Sequence, residues 1–181
     1  MGQAILRCRL PVIFLKPISP RMASVFKDVR LRALKEMPLA FSSTYAKESE
    51  FPEAEWVRRS ERWRGDEAIL YLAFDNQDEK AACGMVACYA DEEGNVARGH
   101  VISMWVDPKY RRAGVGKLLM EGLKDWARMR RLRGLKLMVT SVNQGAIDFY
   151  QRMGFVMSGK TGPYENDPAV FEHEMVLALE E

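Results

Sequence analysis

The sequence predicts a mixed α/β domain of the α+β kind, with a central, mostly antiparallel sheet flanked by helices. Three observations predict it. Strand-like runs over residues 68–74, 81–89 and 98–106 follow one another across short, turn-rich links, as antiparallel neighbours do. A strand, an amphipathic helix over residues 115–131 and a further strand over 135–140 then come in succession, and that order requires a parallel crossover. Elsewhere, apolar residues recur at helical rather than alternating spacing.

Taken in chain order, residues 11–16 read as the first strand. Ser19 is expected to cap a helix with Pro20 at its first position, and Met22, Phe26, Val29, Ala33 and Met37 form its apolar stripe. Pro38 interrupts that helix. Residues 41–50 read as a loop or a short second helix, and residues 52–64 as a helix stopped by Gly65. After the three central strands and the break at Pro108, the next helix places Val115, Leu118, Leu119, Leu123 and Trp126 on one face. A short helix over residues 143–153 and strands over 155–160 and 170–177 complete the sheet.

A chain of 181 residues fits one domain, residues 1–181, and 48% hydrophobic content suits a substantial core. The net charge of +2 argues against a protein that binds mainly through a broad nucleic-acid surface. No apolar run reaches the roughly 18 residues that a membrane span needs. The run Leu10-Pro-Val-Ile-Phe-Leu15 is short for a signal-peptide core, and Leu6 breaks the myristoylation pattern begun by Met1-Gly2. Cys8, Cys83 and Cys88 make no disulfide framework, and with only His100 and His173 available no metal site is expected. Cys83 and Cys88, five residues apart on one strand, are expected on opposite faces. A reducing cytoplasm is the simplest setting.

The stretch Arg111-Arg112-Ala113-Gly114-Val115-Gly116 lies between a strand and the strongest amphipathic helix. The first turn of a helix has backbone amides without intrahelical partners, and the helix dipole adds positive charge there. Glycines allow an anion to approach that backbone, and Arg111, Arg112 and Lys117 add full charges. On this stretch alone, a plain strand-to-helix turn is the ordinary alternative.

One helix and one strand further on come Asn143, Ala146, Phe149, Tyr150 and Gly154-Phe155. The order strand, R-x-x-G-x-G, helix, strand, N-x-x-A-x-x-F-Y-x-x-x-G-F resembles the GCN5-related N-acetyltransferase (GNAT) superfamily over residues 101–155. The resemblance implies a sheet that splays open around acetyl-CoA, with the strand ending at Met104 and Val106 offering free backbone groups to the pantetheine arm. It implies that the Gly114-Val115-Gly116 backbone, with Arg111, Arg112 and Lys117, holds the pyrophosphate. Asn143 would hydrogen-bond the cofactor, and Ala146 and Phe149 would pack beside it. Tyr150 would be the general acid for the departing thiolate. Arg112 stands where many members carry glycine. Trp105 packs into the core or, alternatively, lines the acceptor pocket.

The implied activity is acetyl-CoA-dependent acetylation of a primary amine on a small molecule or protein, without a metal. The alternatives are a noncatalytic acyl-CoA sensor and a transferase of longer acyl groups. Glu48, Glu50, His100, Asp107 and His173 are conceivable bases, and none is singled out. Dimers are common in the superfamily, so a homodimer is left open.

Overall fold

The computed structural model describes residues 12–76, 78–93 and 96–179. Seven strands form one sheet in the order β1-β2-β3-β4-β5-β7-β6. They are β1 (Ile13–Pro17), β2 (Ala68–Asp75), β3 (Asp78–Glu93), β4 (Val96–Val106), β5 (Gly134–Thr140), β6 (Val156–Pro163) and β7 (Phe171–Ala178). The helices are α1 (Ala23–Glu36), α2 (Tyr45–Ser49), α3 (Glu53–Arg62), α4 (Val115–Met129) and α5 (Gln144–Arg152). Every neighbouring strand pair is antiparallel except β4 with β5, which the α4 crossover makes parallel.

The sheet has a core on each face. Under α4 and α5 lie Leu119, Leu123, Trp126, Ile147 and Tyr150, packed on Val86, Val101, Leu135 and Leu137. Under α1 and α3 lie Phe26, Val29, Ala33, Leu34 and Trp56, packed on Leu70, Leu72, Met85 and Trp105. The period-3.6 stripes of α1 and α4 are therefore the faces that meet the sheet.

Two bulges reset the side-chain alternation. On β3, Ala73 opposes Gly84 while Phe74 opposes Ala82, so Cys83 is an extra residue. Cys83 and Cys88 consequently share the core beneath α4, contrary to the opposite faces that strict alternation predicts. Burial pushes the Cys83 thiol up to about 11 and the Cys88 thiol to about 12. On β4, Trp105 opposes Met85 and Ile102 opposes Ala87, leaving Ser103 and Met104 across from Val86 alone. Ser103 adopts φ 55°, which an L-residue holds only at a cost of about 1–2 kcal/mol. Its hydroxyl accepts a hydrogen bond from Arg30 Nη1 at 3.2 Å.

The start of α1 differs from expectation. Pro20 begins a 3-10 turn, Pro20–Met22, that leads into the helix, and the Ser19 side chain makes no capping bond. The turn closes instead through the Ser19 carbonyl, which accepts from Met22 N at 2.8 Å. Cys8 and Pro11, the first residue of the predicted opening strand, lie outside the described residues.

Candidate active site

The site begins where β4 leaves β5. The two strands pair only at Gly99 with Leu135 and His100 with Lys136, although β4 continues to Val106. Beyond His100 the strands diverge. Asp107 N donates to Cys83 O on β3, so Val106, one residue earlier, turns its own N–H and C=O toward the open side.

The chain then turns into α4. Asp107 caps a short 3-10 turn by accepting from Lys109 N, and Arg112 takes φ 66°. That left-handed position explains why glycine suits it better than arginine. Gly114, at φ 83°, gives its carbonyl to Leu118 N at 3.0 Å and so starts the helix. The amides of Val115, Gly116 and Lys117 are left without intrahelical acceptors. A Cβ on Gly114 would meet nothing within 4 Å, whereas one on Gly116 would meet the Phe149 ring at 3.2 Å. The space over the first turn is open, and its floor has room only for glycine.

Every predicted cofactor residue except Val115 lines one cavity of about 730 Å³ at this point. Val115 points away, buried in the core beneath α4, so only its backbone faces the turn. Asn143 caps α5 through Oδ1, which accepts from Ala146 N at 3.1 Å, and lines the cavity. Tyr150 is held edge-on between Phe149, at 5.3 Å, and Phe155, at 5.6 Å. Burial drives its phenol pKa far above the ordinary value. Its hydroxyl has no hydrogen-bond partner among the described residues.

Arg111 does less for an anion than its sequence position suggests. Its Nε donates to Val106 O at 3.0 Å and its Nη2 pairs with Glu36. Glu36 also accepts from Trp105 Nε1 at 3.0 Å. Arg111 therefore closes the Val106 carbonyl that the splay would otherwise leave free, and the Val106 N–H remains available. Glu36 was not visible as a site residue in the sequence. Neither was Arg152, which joins Arg112 and Lys117 at the cavity wall. Its place in the last turn of α5, after the N-x-x-A-x-x-F-Y pattern, was the only signal.

The Acetyltransferase (GNAT) family model matches residues 32–155. This chain belongs to the GNAT family. An IAA acetyltransferase from Azospirillum brasilense is 36% identical over 55% of this chain and 63% of its own length. An uncharacterized N-acetyltransferase from Methanocaldococcus jannaschii is 30% identical over 58% and 47%. A streptothricin acetyltransferase from Streptomyces lavendulae is 37% identical over 41% and 40%. The chain thus spans about half the length of the curated relatives it matches. The fold is that of a GNAT-family acetyltransferase from Streptococcus pneumoniae, with a TM-score of 0.74, 23% identity, and coverage of 93% of this chain and all of the other. It is also that of Arabidopsis thaliana NAA60, solved with acetyl-CoA, at TM-score 0.67 and 16% identity over 93% and 99% of the two chains.

None of the five conceivable bases of this GNAT chain lines the cavity at the start of α4. Glu48 is buried and bound by Arg30 at 2.8 Å and Arg59 at 3.2 Å. Burial alone would raise its pKa, but hydrogen bonds from Arg30 and Ser43 and the charges of Arg30 and Arg59 leave it lowered. Asp107 pairs with Arg32 at 2.7 Å. His100 Nδ1 lies 2.6 Å from Tyr89 Oη, and burial and Lys136 hold its pKa down. His173 stacks edge-on with Phe171, and Glu50 is exposed.

Proposed function

We propose that this chain is an acetyl-CoA-dependent N-acetyltransferase that transfers the acetyl group directly to a primary amine. One observation carries the reading. The unpaired first turn of α4, the open edge of β4 and the partnerless hydroxyl of Tyr150 meet in a single cavity. The residues fit the cofactor: an open cradle above Gly114, uncompensated amides, and the cations Arg112, Lys117 and Arg152 suit a pyrophosphate.

When bound, acetyl-CoA supplies a thioester carbonyl open to attack and a thiolate leaving group. The backbone amides of Val115, Gly116 and Lys117 would hold the phosphates. Met104 and Val106 would flank the arm, and Asn143 would hydrogen-bond it. The Val106 N–H, held outward by the β3 pairing of Asp107, is positioned to stabilise charge developing on the carbonyl oxygen. The exchange forms one N–C bond, breaks one C–S bond, frees one proton at nitrogen and needs one at sulfur. Tyr150 holds that second proton. Protonating sulfur moves the negative charge onto the Tyr150 oxygen, where burial disfavours it, and the proton freed at nitrogen is what restores the phenol.

Cys83 and Cys88 are free thiols, as a reducing cytoplasm would keep them. The exposed β6 edge, with Val156 and Met157 uncovered, is the surface available to a second copy of the chain. The deciding experiment combines calorimetric titration of acetyl-CoA with coenzyme A release across a panel of primary amines. Tight binding with amine-dependent release is expected; binding with no release by any amine would favour a sensor and overturn the transferase reading.

A further inference from the structure

Val106 stands at the end of β4, opposite Gly84 of β3. Pairing with β5 has already ended at His100, and among the described residues no strand pairs with the other edge of Val106. A donor stabilises a developing oxyanion only if it is aimed before the charge appears. A strand end paired along one edge does not supply that rigidity by itself. The remaining restraint comes from α1.

Two side chains one turn apart on α1, Arg32 and Glu36, reach the residues on either side of Val106. Arg32 Nη1 pairs with Asp107 at 2.7 Å, and its Nη2 donates to Ala82 O on β3 at 2.6 Å. The same guanidinium lies over the Trp105 ring, 5.3 Å from a centroid. Glu36 Oε2 accepts from Trp105 Nε1 at 3.0 Å and from Arg111 Nη2 at 2.5 Å. Arg111 in turn donates through Nε to Val106 O at 3.0 Å. Trp105, Val106 and Asp107 are thus each held by a different charged side chain. Trp105, Val106 and Arg111 line the cavity, while Arg32 and Glu36 lie outside its wall.

These contacts do little for the stability of the fold. About a third or more of the Arg32, Glu36 and Arg111 side chains is exposed, and ion pairs so placed are weak. They are nonetheless directional, charge-assisted bonds, and all of them converge on three consecutive residues. We infer that Arg32 and Glu36 are positioning residues that keep the Val106 N–H aimed at the open side of the sheet, Arg32 through Asp107 and Glu36 through Arg111. The inference rests on the acetyltransferase reading for the charge to be stabilised, and on the bonds to Asp107 and Arg111 for the restraint.

The test uses the full chain and the amine acetylated fastest in the panel. Single-turnover acetyl transfer at saturating acetyl-CoA is followed by rapid quench, beside calorimetric titration of acetyl-CoA. Glu36→Ala and Arg32→Met should each slow transfer about tenfold, short of the roughly 10²–10³-fold that deleting an oxyanion donor costs. Acetyl-CoA affinity should stay within about threefold, because the amides at the start of α4 are untouched. In an Arg111→Ala background, Glu36→Ala should slow transfer by less than about threefold, since its route to Val106 is already cut. Transfer slowed by less than about threefold in either single variant, an equal fall in transfer and affinity, or an undiminished effect of Glu36→Ala in the Arg111→Ala background would overturn the inference. A readout without turnover is amide nitrogen relaxation dispersion of the unliganded protein. The Val106 amide should gain μs–ms exchange in both variants, while the amides of β5 do not. If no amine is acetylated, the transferase reading fails and this measurement alone decides the restraint. New exchange at Val106 upholds it, and a flat profile in both variants overturns it.

Discussion

Replacing Tyr150 with phenylalanine removes one oxygen from a ring that is otherwise held by Phe149 and Phe155. That oxygen has no hydrogen-bond partner among the described residues, so the substitution breaks no internal bond and preserves ring volume. Stability should change by no more than about 0.5 kcal/mol, and acetyl-CoA affinity should stay within about threefold. Turnover should fall by roughly 10²–10⁴-fold when thiolate departure limits the rate, which is about 2.7–5.5 kcal/mol of transition-state stabilisation. Because burial raises the phenol above its ordinary value of 10.0, wild-type turnover should show no alkaline loss attributable to Tyr150 below that pH. The assay is steady-state coenzyme A release at saturating acetyl-CoA, beside calorimetry and urea unfolding of the same variant. Near-normal turnover with several unrelated amines would remove Tyr150 from the acid role. Parallel losses of turnover and cofactor affinity would make it a positioning residue.

Four further outcomes follow from other parts of the molecule. Glu48→Gln leaves Arg30 and Arg59 facing a neutral amide in a buried setting and should destabilise the fold by about 3–5 kcal/mol in urea unfolding. Since the folded pKa of Glu48 is lowered, its contribution is fully present above the unfolded value of about 4.5 and is lost as pH falls through the folded value, so the variant should lack that acid limb. Gly114→Val should weaken acetyl-CoA binding at least about tenfold by calorimetry. Its left-handed backbone should add about 1–2 kcal/mol of strain, read as a lower unfolding midpoint, because no neighbouring atom obstructs the new side chain. Lys117→Ala and Arg152→Ala should weaken binding at low salt and much less at high salt. Arg111→Ala should instead lose affinity at every ionic strength, because it releases the Val106 carbonyl and Glu36.

The element order was legible because each element announces itself locally. The stripe from Val115 to Trp126 can only be a half-buried helix, and the link from Asp75 to Asp78 can only be a tight reversal. That these residues would share one cavity was legible for the same reason: its glycines and the Asn143-to-Tyr150 pattern lie on two consecutive loop-to-helix junctions. What sequence periodicity cannot register is an inserted residue. Cys83 adds one position to β3, and every parity argument across it reverses. Nor does local pattern show partners brought together from afar. Arg30 meets Glu48 and Ser103, and Glu36 meets Trp105 and Arg111, only after the sheet has formed. At Val115 the motif concerns the backbone, and the side chain is buried in the core beneath α4.

The bulge at Ser103 and Met104 has a consequence for how such a protein can change. It sets two cavities on opposite faces of β4, Met104 lining one and Ser103 the other. Most of the wall on the Ser103 side comes from residues 42–68, a segment that contributes nothing to the wall on the Met104 side. Substitutions in that segment can therefore reshape one hollow while the glycine turn and α5 keep the other as it stands.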